Sequence, residues 1–115
     1  MEKSHEAELD TVRRWIVDEL DDAKAVDILE LDIRPLTQIA DWMVVASGTS
    51  TRHVLALAER LRAAGVRHGV KPSGVEGESD GEWVLLDFSD LIVHLMLPAT
   101  REFYDLEGLW NERLG

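Results

Sequence analysis

Cysteine is absent from the 115 residues. That excludes disulfides, thiolate nucleophiles and cysteine-ligated zinc, and it fits a reducing compartment. Basic side chains are scarce: 12 lysines and arginines stand against 23 aspartates and glutamates, for a formal net charge of −11. A domain that grips nucleic acid by itself offers a basic patch to offset phosphate charge. This chain repels phosphate at long range and attracts a basic partner. Long apolar runs are missing as well. The longest, Trp42–Ala46 and Leu91–Leu97, the second interrupted by His94, fall far short of the ~20 residues that span a bilayer. The opening MEKSHEAELD has no basic region followed by an apolar stretch, so no secretory signal is visible. These absences lead to the expectation of a soluble, cytoplasmic protein without membrane contact.

What is present suits one domain over residues 1–115: apolar residues make up 45% of the chain, enough for a single core without metals or crosslinks. Leu9, Val12, Ile16 and Leu20 recur at three- and four-residue steps and predict a helix from about Glu6 to Asp21. Val26–Ile33 partly alternates and reads as a strand that Pro35 ends. Trp42–Ala46 is a short continuous apolar run, as in a strand covered on both faces. After Gly48-Thr49-Ser50, the positions Val54, Leu57, Ala58 and Leu61 mark a second amphipathic helix, with Thr49 or Ser50 as its cap and Gly65 as its expected end. Strand, tight turn and helix form the front half of a βαβ unit. Val66–Val75, with Pro72 and two glycines, reads as an irregular or edge strand. Trp83–Phe88 and Leu91–Leu97 read as strands of a hairpin joined by Ser89-Asp90, which is not a preferred turn pair. Pro98 starts a last helical segment through Trp110. The order α-β-β-α-β-β-β-α implies an α/β (mixed α+β) domain whose mixed sheet is flanked by helices.

Three groupings bear on chemistry. Gly48-Thr49-Ser50 lies where a helix N-terminus can cradle phosphate. It lacks the lysine and glycines of a Walker loop, and Arg52 stands where a nucleophile elbow requires glycine, so a plain capped turn is the better reading. Asp87 and Asp90 close adjacent strands and invite comparison with the magnesium-holding acids of nucleotidyl transfer, but the usual pair on one strand, with one residue between, is missing. The histidines at 5, 53, 68 and 94 share no metal-ligand spacing. His94 interrupts an apolar strand and shares a sheet face with Ile92 and Met96; a satisfied core histidine is the default and a functional one the alternative.

The aromatics are few, four tryptophans, two phenylalanines and one tyrosine, and Trp83, Phe103, Tyr104 and Trp110 all sit near carboxylates. Packing by the last helix accounts for rings in such a place, and at least half of them are expected in the core. Tryptophan, tyrosine and arginine also anchor interfaces, and Arg101 lies beside them. An aromatic patch rimmed by acids suits a basic protein surface.

The segments Ile39–Arg52, Gly74–Gly77, Gly81–Asp87, Asp90–Met96 and Arg101–Trp110 carry a resemblance to the ribosomal silencing factor family, also called Iojap-like, over roughly Leu20 to Trp110. Two departures are Ala40, where the family commonly has threonine, and Ser89, where it often has glycine. The resemblance implies a nucleotidyltransferase-like mixed sheet, mostly of five strands, with no established activity and no cofactor. It implies binding to ribosomal protein fourteen on the joining face of the large subunit, a block on subunit joining, repression of translation when nutrients are short, and a part in late large-subunit maturation. It also implies a homodimer when free, and little direct nucleic-acid contact follows from docking on a protein. Trp83, Asp90, His94, Arg101 and Tyr104 are expected in or near the partner surface, with Glu76 and Glu82 on an acidic rim. The alternative from the residues alone is a nucleotide-binding enzyme using Gly48–Ser50 and Asp87/Asp90.

Overall fold

The structure, a computed structural model, describes residues 2–109 and side chains from residue 8 onward. The first helix, α1, runs Glu2–Asp22 and buries Leu9, Trp15, Ile16 and Leu20. It stops where Lys24 turns left-handed (φ 68°), with the Ala25 amide donating to the Leu20 carbonyl at 2.9 Å. That closing bond satisfies a carbonyl the helix end would leave orphaned.

Strand β1 (Val26–Asp32) pairs antiparallel with β2 (Trp42–Ser47), and its register slips between Val26 and Leu29, around a left-handed Asp27. Ser50 caps α2 (Thr51–His68), its hydroxyl accepting from the His53 amide at 3.1 Å. The helix runs through Gly65 rather than ending there, and Gly69 (φ 71°) supplies the left-handed stop. The reason is steric: a Cβ on Gly65 would collide with the Val70 carbonyl, so this glycine serves close chain approach inside the helix. Residues 66–68 are therefore helical, and only Gly74 and Val75 of the expected irregular strand enter β3 (Gly74–Glu76). Pro72 stays outside the ladder, as its missing N–H requires.

Strands β4 (Trp83–Asp87) and β5 (Leu91–Met96) form the expected antiparallel hairpin. Its tip is a γ-turn: the Asp90 amide donates to the Phe88 carbonyl at 3.0 Å across Ser89, whose φ is 73°. The Asp87 carboxylate accepts from the Ser89 amide at 2.8 Å and braces that turn. Helix α3 (Pro98–Tyr104) opens on proline at its first turn, where no amide is needed. A further turn follows to Leu109; Trp110, expected at the end of this segment, lies outside the described residues.

The sheet is five-stranded and mixed, in the order β1-β2-β5-β4-β3, with β2 and β5 parallel and the other pairs antiparallel. The βαβ unit is completed by β5, after the β3–β4 excursion. Helices α1 and α2 pack on one face, enclosing Val44, Ala46, Val84, Leu86, Val93 and Leu95 against Ile16, Leu20, Val54, Leu57 and Leu61. Fully burying each such side chain contributes about 1.5–3 kcal/mol. The opposite face carries Leu31, Met43, Val45 and Met96, covered at one end by Ile33 and Ala40 from the β1–β2 loop and at the other by the segment after β5. Because β2 and β5 are covered on both sides, they read as nearly continuous apolar runs, interrupted in β5 by His94.

Candidate partner-binding face

The register fixes which residues share the face opposite α1 and α2. Val45, His94, Leu85 and Glu76 lie in one row across the sheet, and Ser47, Met96 and Trp83 in the next. His94 occupies the middle of β5 and is only 5% exposed. Burial disfavours its imidazolium and holds its pKa down at about 4. It is therefore neutral at physiological pH. The Trp83 indole Nε1–H donates to His94 Nδ1 at 2.9 Å, which places the histidine proton on Nε2.

From that hydrogen bond a chain of rings climbs out of the core. Trp83 is half-buried, with its ring centroid 5.8 Å from His94. Tyr104 packs on Trp83 at 4.9 Å and is 54% exposed. Phe103 meets Tyr104 edge-on at 5.0 Å and is 80% exposed. At least half of the rings Trp83, Phe103, Tyr104 and Trp110 were expected in the core; none of the three described is fully buried. The reason is length: α3 spans seven residues and buries none of them, so it cannot roof the face. The core rings are instead Trp15 and Phe88, which meet edge-on at 5.9 Å, with His68 stacked on Trp15 at 4.7 Å.

The other expected site residues divide. Glu76 and Glu82 are exposed, the first in the His94 row at the sheet edge, the second beside Trp83. Arg101 is close to the rings in sequence, but its guanidinium is turned inward: Nε donates to Glu107 at 2.7 Å and Nη1 to Ser47 Oγ at 3.0 Å. It fastens α3 to β2. Asp90 stands apart, in the hairpin tip at the far end of β5 from Trp83. Its carbonyl accepts from the Asp41 and Trp42 amides at 2.8 and 3.1 Å, and it borders a cavity of about 600 Å³ beside Trp15, His68 and Phe88 on the helical side. His94 itself lies beneath the surface, so it reaches a partner only through Trp83. Phe103, the most exposed of the three rings, was absent from the expected site. Its signal was its place beside Tyr104 on a helix too short to bury both.

The phosphate-cradle geometry at Gly48–Ser50 is occupied from within. The Thr49 amide donates to His53 Nδ1 at 2.9 Å, and the His53 amide is taken by Ser50. A Cβ on Gly48 would stand 2.8 Å from Val54, so this glycine lets β2 meet α2 closely. Asp87 holds its own turn. Among the described residues no three histidine or carboxylate side chains gather as a metal site, and no helix is long and apolar enough to cross a membrane.

A mixed sheet with both long helices on one face and a ladder of rings on the other defines an α+β domain with one face that α1 and α2 leave uncovered. A family model described as "Ribosomal silencing factor during starvation" matches residues 6–114. The ribosomal silencing factor RsfS of Chromobacterium violaceum is 44% identical over 104 residues, covering 90% of this chain and 85% of that protein. A crystal structure of a Chromobacterium violaceum protein superposes with a TM-score of 0.86 at 43% identity, covering 89% of this chain and 85% of the other. The mouse protein named "Mitochondrial assembly of ribosomal large subunit protein 1" is 39% identical over 93 residues, which cover 77% of this chain and 40% of the mouse protein. The chain belongs to the ribosomal silencing factor family.

Proposed function

We propose that this chain is a ribosome-binding translational repressor. It docks the sheet face opposite α1 and α2 on ribosomal protein fourteen of the large subunit and keeps the small subunit from joining by occupying the space between them. The observation that carries this reading is the ring ladder of Trp83, Tyr104 and Phe103, standing half-open on a face that α1 and α2 leave free. Aromatic anchors of this kind concentrate binding energy at the centre of protein interfaces.

Charge supports the choice of partner. Ribosomal proteins are generally basic, and a net charge of −11 steers this domain toward a basic protein and away from bare RNA. Several of its cations are spent internally: Arg60 on Glu19 and Asp22, Arg62 on Glu78, Arg67 on Glu19. Steric exclusion requires affinity and bulk and no reactive group, so the repressor works without catalysis or cofactor. The mouse relative's name, which refers to assembly of the mitochondrial large subunit, supports a second use of the same docking in late large-subunit maturation. The free protein is proposed to be a cytoplasmic homodimer.

Cosedimentation tests the docking step. The purified protein is expected to travel with isolated large subunits and not with small ones, and to be captured by immobilised ribosomal protein fourteen. Equal partition onto both subunits, or no capture, contradicts the proposal. Sedimentation equilibrium of the free protein at a mass near 13 kDa would remove the homodimer.

A further inference from the structure

The ring ladder has a root that does not itself reach the surface. Trp83 has two ways to place its indole, related by a flip about the bond to the ring, and the surface it shows a partner differs between them. Packing against Tyr104 at 4.9 Å does not choose between them, because a tilted ring contact is tolerant of which edge it meets. A hydrogen bond does choose: only one orientation points Nε1–H at His94 Nδ1, 2.9 Å away. His94 is well suited to the task. It sits on the central strand between β2 and β4, with Val45 and Leu85 as its cross-strand neighbours, and is walled in to 5% exposure. An unpaired imidazole acceptor there costs the desolvation of a polar group, so the bond is held whenever the indole is in place. Gly77 adds a backbone limit. A Cβ there would strike the Trp83 carbonyl, so the loop before β4 lies directly against the main chain that carries the indole.

We propose that His94 is a positioning residue of the docking face: its Nδ1 fixes the orientation of the Trp83 indole, and through it the Tyr104 and Phe103 rings, so that the aromatic surface meets its partner pre-formed. Binding then loses less side-chain freedom at the interface, which is the general source of affinity from preorganisation. The inference rests on the proposed docking of this face on the large subunit, and it adds to that reading a buried group that touches no partner.

The test has a wild-type arm and a mutant arm. In 15N-labelled protein, a scalar coupling across the hydrogen bond between Trp83 Nε1 and His94 Nδ1 is expected, with the indole resonance assigned by its loss in Trp83→Phe. No coupling overturns the proposal without any His94 substitution. In the mutant arm, His94→Phe keeps the volume and removes the acceptor, while His94→Asn offers an amide oxygen near the Nδ1 position. Affinity for purified large ribosomal subunits is expected to fall about tenfold in His94→Phe and to recover to within about threefold of wild type in His94→Asn. Wild-type affinity in a folded His94→Phe overturns the positioning role. So does failure of His94→Asn to bind better than His94→Phe. If wild type itself ignores large subunits while the coupling is present, the docking reading fails and the hydrogen bond stands.

Discussion

Trp83 and Tyr104 do different work although they touch. Trp83 is tied to the core through His94, whereas Tyr104 rests on Trp83 from a helix that buries nothing. Truncating either to alanine is expected to weaken large-subunit binding by roughly 2 kcal/mol, about thirtyfold. The two are separated by thermal melts: Tyr104→Ala leaves the melting temperature nearly unchanged, while Trp83→Ala lowers it by several degrees. A large melting loss for Tyr104→Ala would place that ring in the core. His94 gives a pH signature. Its pKa is pushed down from 6.5 to about 4 by burial, so the unfolded chain binds a proton in a range where the folded chain does not. Stability is then full above the unfolded value and declines as pH falls from about 6.5 to 4, by roughly 3 kcal/mol in total. Denaturant titrations of wild type against His94→Phe check this, since the variant lacks that slope. Asp32, whose carboxyl is held below its ordinary value of 3.8 by hydrogen bonding to Arg34, adds a further loss in the same direction as pH falls below that value, where the unfolded chain takes up a proton that the folded carboxylate resists.

Several left-handed residues that are not glycine mark the ends of elements. Lys24 closes α1 and Ser89 makes the hairpin tip, at φ 68° and 73°. A non-glycine residue in such a conformation costs of order 1–3 kcal/mol, partly offset by glycine's greater freedom when unfolded. Ser89→Gly is expected to stabilise the fold by about 1 kcal/mol, read from the denaturation midpoint. No gain would mean that the Asp87 brace already relieves the strain. The opposite holds at Gly65, where alanine would drive into the Val70 carbonyl and destabilise by about 2 kcal/mol or more. These same positions mark the limits of what the chain discloses. The apolar steps of α1 and α2 and the runs of β2, β4 and β5 were legible because period follows burial. Gly65 misled because a glycine needed for close approach looks, in sequence, like one that ends a helix. Gly69, four residues on, was the stop, and β3 shrank accordingly. The face that α1 and α2 leave uncovered was not legible, because β2 and β5 are largely apolar on both sides and alternation carries no sign of which side a helix covers. Trp83 and Tyr104 stood out as candidate anchors from residue type and setting, and the structure leaves both rings partly exposed. The inward turn of Arg101 and the hydrogen bond from Trp83 to His94 depend on contacts between distant strands, and no local pattern encodes them.

At the scale of the whole molecule, shape and charge act together. The extents are 41, 36 and 22 Å, which leave room for a patch of about 800 Å² per partner, the size of an ordinary specific interface. An acidic body of this kind should be drawn to a basic surface before contact, so raising salt is expected to slow association more than it speeds release. Stopped-flow binding to large subunits at 50 and 300 mM salt checks this, and an on-rate indifferent to salt would remove steering from the account. The central claim is that occupation of space alone silences the ribosome. The most direct measurement is light scattering of small and large subunits mixed with and without the protein. The account predicts that joining falls in proportion to large subunits occupied, and that Trp83→Ala restores joining at the same protein concentration. Unchanged joining at saturating occupancy would contradict it.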